Sequence, residues 1–110
     1  MGLTLIEAQN GHGWRYYKAY LAERLDGPWS PLAAEKDKAF ASMLNVQQSQ
    51  ARWTDAISHG ELLRAGYDQR LEVEPDNLRF VFQGVSDQQR SGKAYGQIPW
   101  RLGILRPAPK

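Results

Sequence analysis

Apolar and aromatic residues come in short bursts, separated by glycine, proline and asparagine. Leu3 to Ala8 reads as a short apolar strand, Asn10-Gly11-His12-Gly13 as a turn, and Trp14 to Leu21 as a second, aromatic strand. Together they predict a β-hairpin. In Leu25-Asp26-Gly27-Pro28-Trp29-Ser30-Pro31-Leu32 an Asp-Gly pair and two prolines stop any ladder or helix, so a sharp turn is expected. Ala33 to Leu44 has helix propensity, and its apolar positions Ala39, Phe40, Met43 and Leu44 suit either a helical turn or a loop plugged into a core. Asn45 to Arg52 is polar and reads as a long surface connection.

The second half is strand-like again, over Ile57 to Arg64, Leu71 to Glu74, Leu78 to Gln83 and Ile98 to Leu105. Pro75-Asp76-Asn77 forms a turn between the middle two. Leu78, Phe80 and Phe82 alternate with Arg79, Val81 and Gln83, which gives one apolar, aromatic face. Ser86 to Gly96 is a polar, glycine-bearing loop, and residues 106–110, with two prolines, are a tail. The pattern contains no internal repeat and no boundary within 1–110. It predicts one all-β domain of about six short strands.

Composition agrees with that class. The chain carries 4 Trp, 5 Tyr, 3 Phe, 10 Gly and 6 Pro, and aromatics favour pleated, half-buried surfaces while Gly and Pro punctuate turns. A net charge of +2, with the basic residues spread among acids, forms no basic stripe and argues against a nucleic-acid partner. The absence of cysteine removes disulfides, thiolate nucleophiles and Cys-ligated zinc. No segment approaches the roughly 18 apolar residues of a membrane span. Met1 to Glu7 lacks the basic start and long apolar run of a signal peptide.

Candidate chemistry is sparse. Glu7, in an otherwise apolar strand, suits a catalytic acid, a buried hydrogen-bonding group or the outward residue of an edge strand. His59, between Ser58 and Gly60 at a strand entry, suits a ligand or base, or a structural hydrogen bonder. Tyr95, Trp100 and Arg101 surround Pro99. An aromatic ring stacks on the apolar face of a sugar while a guanidinium bonds its hydroxyls, although Trp100 in a core and Arg101 at the surface explain the same residues. Asp68 and Asp76 are accounted for by turn chemistry. Phosphate-loop, Ser-His-Asp and His-x-x-x-His patterns are absent.

The order of the motifs says more than any one of them. Arg15-Tyr16-Tyr17 is followed by Leu25 to Ala33, by Trp53-Thr54-Asp55-Ala56-Ile57-Ser58-His59-Gly60-Glu61-Leu62-Leu63-Arg64, by Asp68-Gln69 and by Pro75 to Phe80. Gln83-Gly84 and Tyr95-Gly96-Gln97-Ile98-Pro99-Trp100-Arg101-Leu102-Gly103 complete the series. Over residues 3 to 105 this resembles the carboxy-terminal part of glycoside hydrolase family 62, the α-L-arabinofuranosidases that trim arabinose from arabinoxylan. Ile-Ser-His-Gly-Glu and Ile-Pro-Trp-Arg-Leu-Gly are the most specific segments.

The resemblance implies a five-bladed β-propeller with its active site at the mouth of the axis, of which this chain supplies about two blades. Bare inter-blade faces then call for a missing amino-terminal part, a second copy of the chain or a rearranged packing. It also implies inverting hydrolysis by a base aspartate, an acid glutamate and a second aspartate that tunes the acid. Both aspartates fall in amino-terminal blades outside this chain. The acid glutamate falls just upstream, while Glu7 matches a later glutamate and is kept as a candidate acid. His59 matches a histidine beside a bound calcium ion and its waters, and Tyr95 a tyrosine that lines the arabinose pocket. Ala94 and Gly96 replace the acid and amide that commonly flank that tyrosine, and Asp76 stands where a disulfide cysteine is common. An extracellular place, arabinoxylan or an arabino-oligosaccharide as partner, and calcium as cofactor follow from the resemblance. Inactivity in isolation is expected, with a non-catalytic carbohydrate-binding or assembly module as the alternative and a split product without function of its own as a third reading.

Overall fold

A computed structural model describes residues 2–9, 15–35, 38–49, 51–66 and 71–108. Two antiparallel sheets account for the architecture. The first has the order β1-β2-β3-β4, from Gly2–Gln9, Arg15–Ala22, Ser30–Glu35 and Lys38–Ala39. The second has the order β5-β6-β7, from Ser58–Leu62, Phe80–Gly84 and Arg101–Leu105. The expected all-β class and the opening pair of strands are therefore present, and Asn10 to Trp14, the expected turn and the start of its second strand, lie outside the described residues.

Register decides which side chains meet. Leu3 pairs with Leu21, Leu5 with Ala19, Glu7 with Tyr17 and Gln9 with Arg15. Side chains alternate across a strand, so Leu3, Leu5 and Glu7 share one face with Arg15, Tyr17 and Ala19. That face is the inner one: Tyr17 and Ala19 are buried, and Leu5 packs on the core.

None of the described residues of Ala33 to Leu44 is helical. Residues 30–35 and 38–39 are strands, with Ala33 paired to Ala19 and Ala34 to Ala39. The free edge of β2 supplies the reason, because Tyr17 donates its N–H to the Ala41 carbonyl and accepts from the Phe40 N–H at its own. Tertiary pairing overrides a weak local preference. Leu44 is exposed, while Phe40 and Met43 plug into the core as a loop would. Pro31, expected to stop a ladder, sits inside β3 opposite Tyr20. β4 pairs only with Ala34 and Glu35, so Pro31 lies on an edge and beside the register shift at Ala19/Tyr20, where a missing N–H is tolerated.

Leu71 to Glu74 is not a strand either. Leu71 takes a left-handed φ of 54° and is exposed, which breaks extension at its first residue. Within the polar loop, Asp87–Arg90 forms a one-turn helix (α1) capped by the Ser86 hydroxyl, and Tyr95–Gln97 a 3-10 turn.

The core sits between the sheets. Tyr17, Ala41, Ile57, Phe80 and Phe82 form its centre, with Phe40, Met43, Trp53, Leu62 and Leu105 around them. Phe80 meets Tyr17 edge-on at 5.0 Å and Phe40 at 5.6 Å, and Trp53 stacks on Phe82 at 5.8 Å. Both phenylalanines are thus covered within this chain. Leu102 and Ile104 on β7 remain exposed, at 74% and 47%.

Candidate functional site

Glu7 projects from β1 toward the second sheet, and four donors meet it there. Oε1 accepts from the His59 N–H at 2.9 Å and from the Tyr17 hydroxyl at 3.2 Å. Oε2 accepts from the Ser58 hydroxyl at 2.7 Å and from Arg15 at 3.4 Å. Arg15 also reaches the Ser58 hydroxyl at 3.0 Å, and the Tyr17 oxygen accepts the Gly60 N–H at 2.6 Å. Two successive amides of β5 are therefore captured by two side chains of the first sheet. Of the three roles open to Glu7 in the sequence, the structure displays the hydrogen-bonding one.

The β5 strand permits this because it bulges. Its register against β6 shifts between Ser58 and Glu61, and His59 takes a φ of 45°. An extra residue in one strand re-aims side chains, which is how bulges serve sites. Glycine follows for a steric reason: a methyl group at position 60 would overlap the Phe80 ring.

His59 itself is exposed. Its Nδ1 lies 3.2 Å from Gln83 Oε1 and 3.3 Å from Ser58 Oγ. With an amide oxygen facing it, Nδ1 is the donor of this contact in the tautomer that carries its proton there, and Nε2 takes no part in either contact. The imidazole stands edge-on to Trp100 at 6.5 Å, Tyr95 lies 6.3 Å from the same indole, and the Arg15 guanidinium is 5.9 Å from it. The Trp100 Nε1 is buried with no acceptor among the described residues. Beside this group, Glu7, Ala8, Gln9 and Arg15 line an open hollow of about 290 Å³.

The structure thus joins four of the sequence candidates, Glu7, His59, Tyr95 and Trp100, and separates the fifth. Arg101 lies over the Trp53 ring at 5.2 Å, as alternation along the chain after Trp100 requires. Asp68 lies outside the described residues. Arg15, Tyr17, Ser58 and Gln83 carry the network and were not singled out individually by the sequence. For Tyr17 a signal existed, since it lies directly across the hairpin from Glu7.

Burial pushes the Glu7 carboxyl up, but the His59 N–H, the Ser58 and Tyr17 hydroxyls and the Arg15 charge outweigh it and hold its pKa below the ordinary value. Burial, together with the Glu7 charge, pushes the Tyr17 phenol up despite the Gly60 bond, so it stays protonated as a donor. Because the folded carboxyl titrates below the unfolded one, its contribution to stability is complete above the ordinary carboxylate value and is lost as pH falls through the lowered one. Acid titrations of stability should show this limb, and Glu7→Gln should flatten it. An identical acid limb in the variant would remove Glu7 as its source.

Both Glu7 oxygens already serve four donors and Gln83 Oε1 faces His59, so these oxygens are engaged within the chain. No group of three His, Cys, Asp or Glu placed to hold a metal occurs among the described residues.

Comparison with known proteins decides the family. The model of glycosyl hydrolase family 62 matches residues 1–106. The chain belongs to this family. Alpha-L-arabinofuranosidase C of Cellvibrio japonicus is 44% identical to it over 104 residues, which cover 94% of the chain and 16% of that protein. The catalytic domain of a Coprinopsis cinerea family 62 α-L-arabinofuranosidase superposes with a TM-score of 0.88 at 40% identity, over 94% of this chain and 32% of that one. A Podospora anserina α-L-arabinofuranosidase in complex with cellotriose gives 0.89 at 38% identity, again over 94% and 32%. The family 62 chain therefore spans about a third of the solved relatives and a smaller share of the curated one. Its two sheets keep the family's arrangement within that third.

Proposed function

We propose that the family 62 chain is part of an α-L-arabinofuranosidase that removes arabinose side chains from arabinoxylan by inverting hydrolysis, and that it shapes the sugar-facing wall without supplying the proton-transfer pair. The observation that carries this is the single carboxylate of the site, which four donors hold in its ionised form. A general acid must keep its proton near working pH, which requires a raised pKa. Inversion further requires a second carboxyl about 6.5–9.5 Å away across the sugar. Glu7 does not meet the first requirement, so we place the acid and the base in the remaining part of the domain and set Glu7 as the acid aside.

What the chain supplies is a wall. Tyr95, 58% exposed beside Trp100, offers a ring face for the apolar side of a furanose, and His59 and Arg15 border it with polar groups. The exposed Leu102 and Ile104 of β7 mark the face that the rest of the domain, or a second copy, covers. An extracellular place fits a polymeric plant substrate. The described residues contain no helix long and apolar enough to cross a membrane.

The purified 110-residue chain is expected to release no measurable arabinose from arabinoxylan or from an aryl α-L-arabinofuranoside. Turnover abolished by Glu7→Gln would make Glu7 the acid and overturn the assignment. The exposed ring pair also favours a second reading, a binding module without turnover. Retention on immobilised arabinoxylan that disappears in Tyr95→Ala, without any hydrolysis, would select it.

A further inference from the structure

We infer that Glu7 is a positioning residue for His59: through the His59 main-chain N–H it holds the left-handed turn of the β5 bulge, and so sets where the imidazole and its Nε2 stand against Trp100. The inference deepens the reading above and rests on it only for what His59 faces. The bond itself, and the readouts below, do not depend on hydrolysis.

A non-glycine residue at φ 45° persists only where its surroundings over-determine it. Here the His59 amide, displaced from the ladder by the bulge, has a carboxylate oxygen at 2.9 Å instead of a strand partner. The next amide, that of Gly60, is taken by Tyr17, whose hydroxyl in turn donates to the same Glu7 oxygen. The other Glu7 oxygen fixes Ser58, the residue before. Three consecutive residues are therefore tied to one side chain, directly or through one hydroxyl.

The ring is fixed separately. Gln83 from β6 and Ser58 approach Nδ1, which leaves the Nε2 edge as the part of the imidazole that the backbone angle aims. Removing the carboxylate should free that angle while the aromatic core, centred on Phe80 and Phe82, stays packed. A purely structural clamp would instead loosen the core and the bulge together.

Nuclear magnetic resonance on the full chain separates these cases. In the wild type, a scalar coupling across the hydrogen bond should connect the His59 amide nitrogen to the Glu7 side-chain carboxyl carbon. Its absence would overturn the inference without any variant. In Glu7→Gln, exchange of the His59 amide hydrogen should quicken by about tenfold or more, and the imidazole nitrogen shifts should move toward averaged tautomers. The amides of Ile57, Phe80 and Phe82 should keep their protection. Tyr17→Phe, which leaves the carboxylate in place, should preserve the His59 coupling and free the Gly60 amide. Equal loss of protection throughout the core of Glu7→Gln would make Glu7 a general clamp, and an unchanged His59 would remove it from this role; either result overturns the inference.

Discussion

Phe80→Ala is expected to remove about 3–5 kcal/mol of stability, the usual cost of emptying a buried phenylalanine site. Phe80 is 2% exposed, lies on the central strand of the second sheet between Leu62 and Leu105, and touches Tyr17 and Phe40 of the first. It is the ring through which the sheets hold each other. A domain of this size has about 5–15 kcal/mol in total, so the variant should stand near the edge of unfolding. Urea titration followed by circular dichroism would show a lower midpoint with little change in slope. Ile104→Ala, on the exposed face of β7, should cost roughly 0.5 kcal/mol or less. Similar losses for the two would mean that the core does not lie where the structure puts it.

Gly60→Ala should be nearly as damaging, for the opposite reason. The added methyl would overlap the Phe80 ring, and neither partner can retreat. The ring is pinned by Tyr17 and Phe40, and the Gly60 amide is held by the Tyr17 hydroxyl. Overpacking of this kind costs about 3 kcal/mol at the upper end of its range. Because both defects act at one contact, the double variant with Phe80→Ala should be more stable than the sum of the single losses by about 1 kcal/mol or more. Simple additivity would show that the methyl strikes something else. Gly103→Ala offers a parallel case, since its Cβ would come 2.6 Å from Phe82 Cζ and 2.8 Å from Trp53 Cζ2.

What the sequence revealed and what it concealed follow the range of the interactions. Strand β6 was legible from alternation, and β1 and β2 from apolar and aromatic runs on either side of a turn, because these signals are local. The strands over 30–39 were not, because alanines with helix propensity were recruited by a distant free edge at Tyr17. Pro31 concealed β3 further, as a proline reads as a stop wherever the neighbouring strand is unknown. At the site, the motif order named the family and brought His59, Tyr95 and Trp100 forward. The use of Glu7 stayed hidden because its partners Ser58 and His59 lie 51 and 52 residues away, in the other sheet. No periodicity records such a contact. Arg101 follows Trp100 directly in sequence yet lies over the Trp53 ring, away from the other candidates.

A chimera tests the proposal that this chain forms the sugar-facing wall of an arabinofuranosidase whose acid and base lie in the rest of the domain. In the Cellvibrio japonicus arabinofuranosidase, the matched 104-residue segment is exchanged for the corresponding residues of this chain, and hydrolysis of an aryl α-L-arabinofuranoside is measured. A kcat/KM within about tenfold of the parent is expected, with a further loss of about tenfold or more when Tyr95→Ala is added. A chimera that folds and melts cooperatively yet releases no arabinose, or one indifferent to Tyr95, would contradict it.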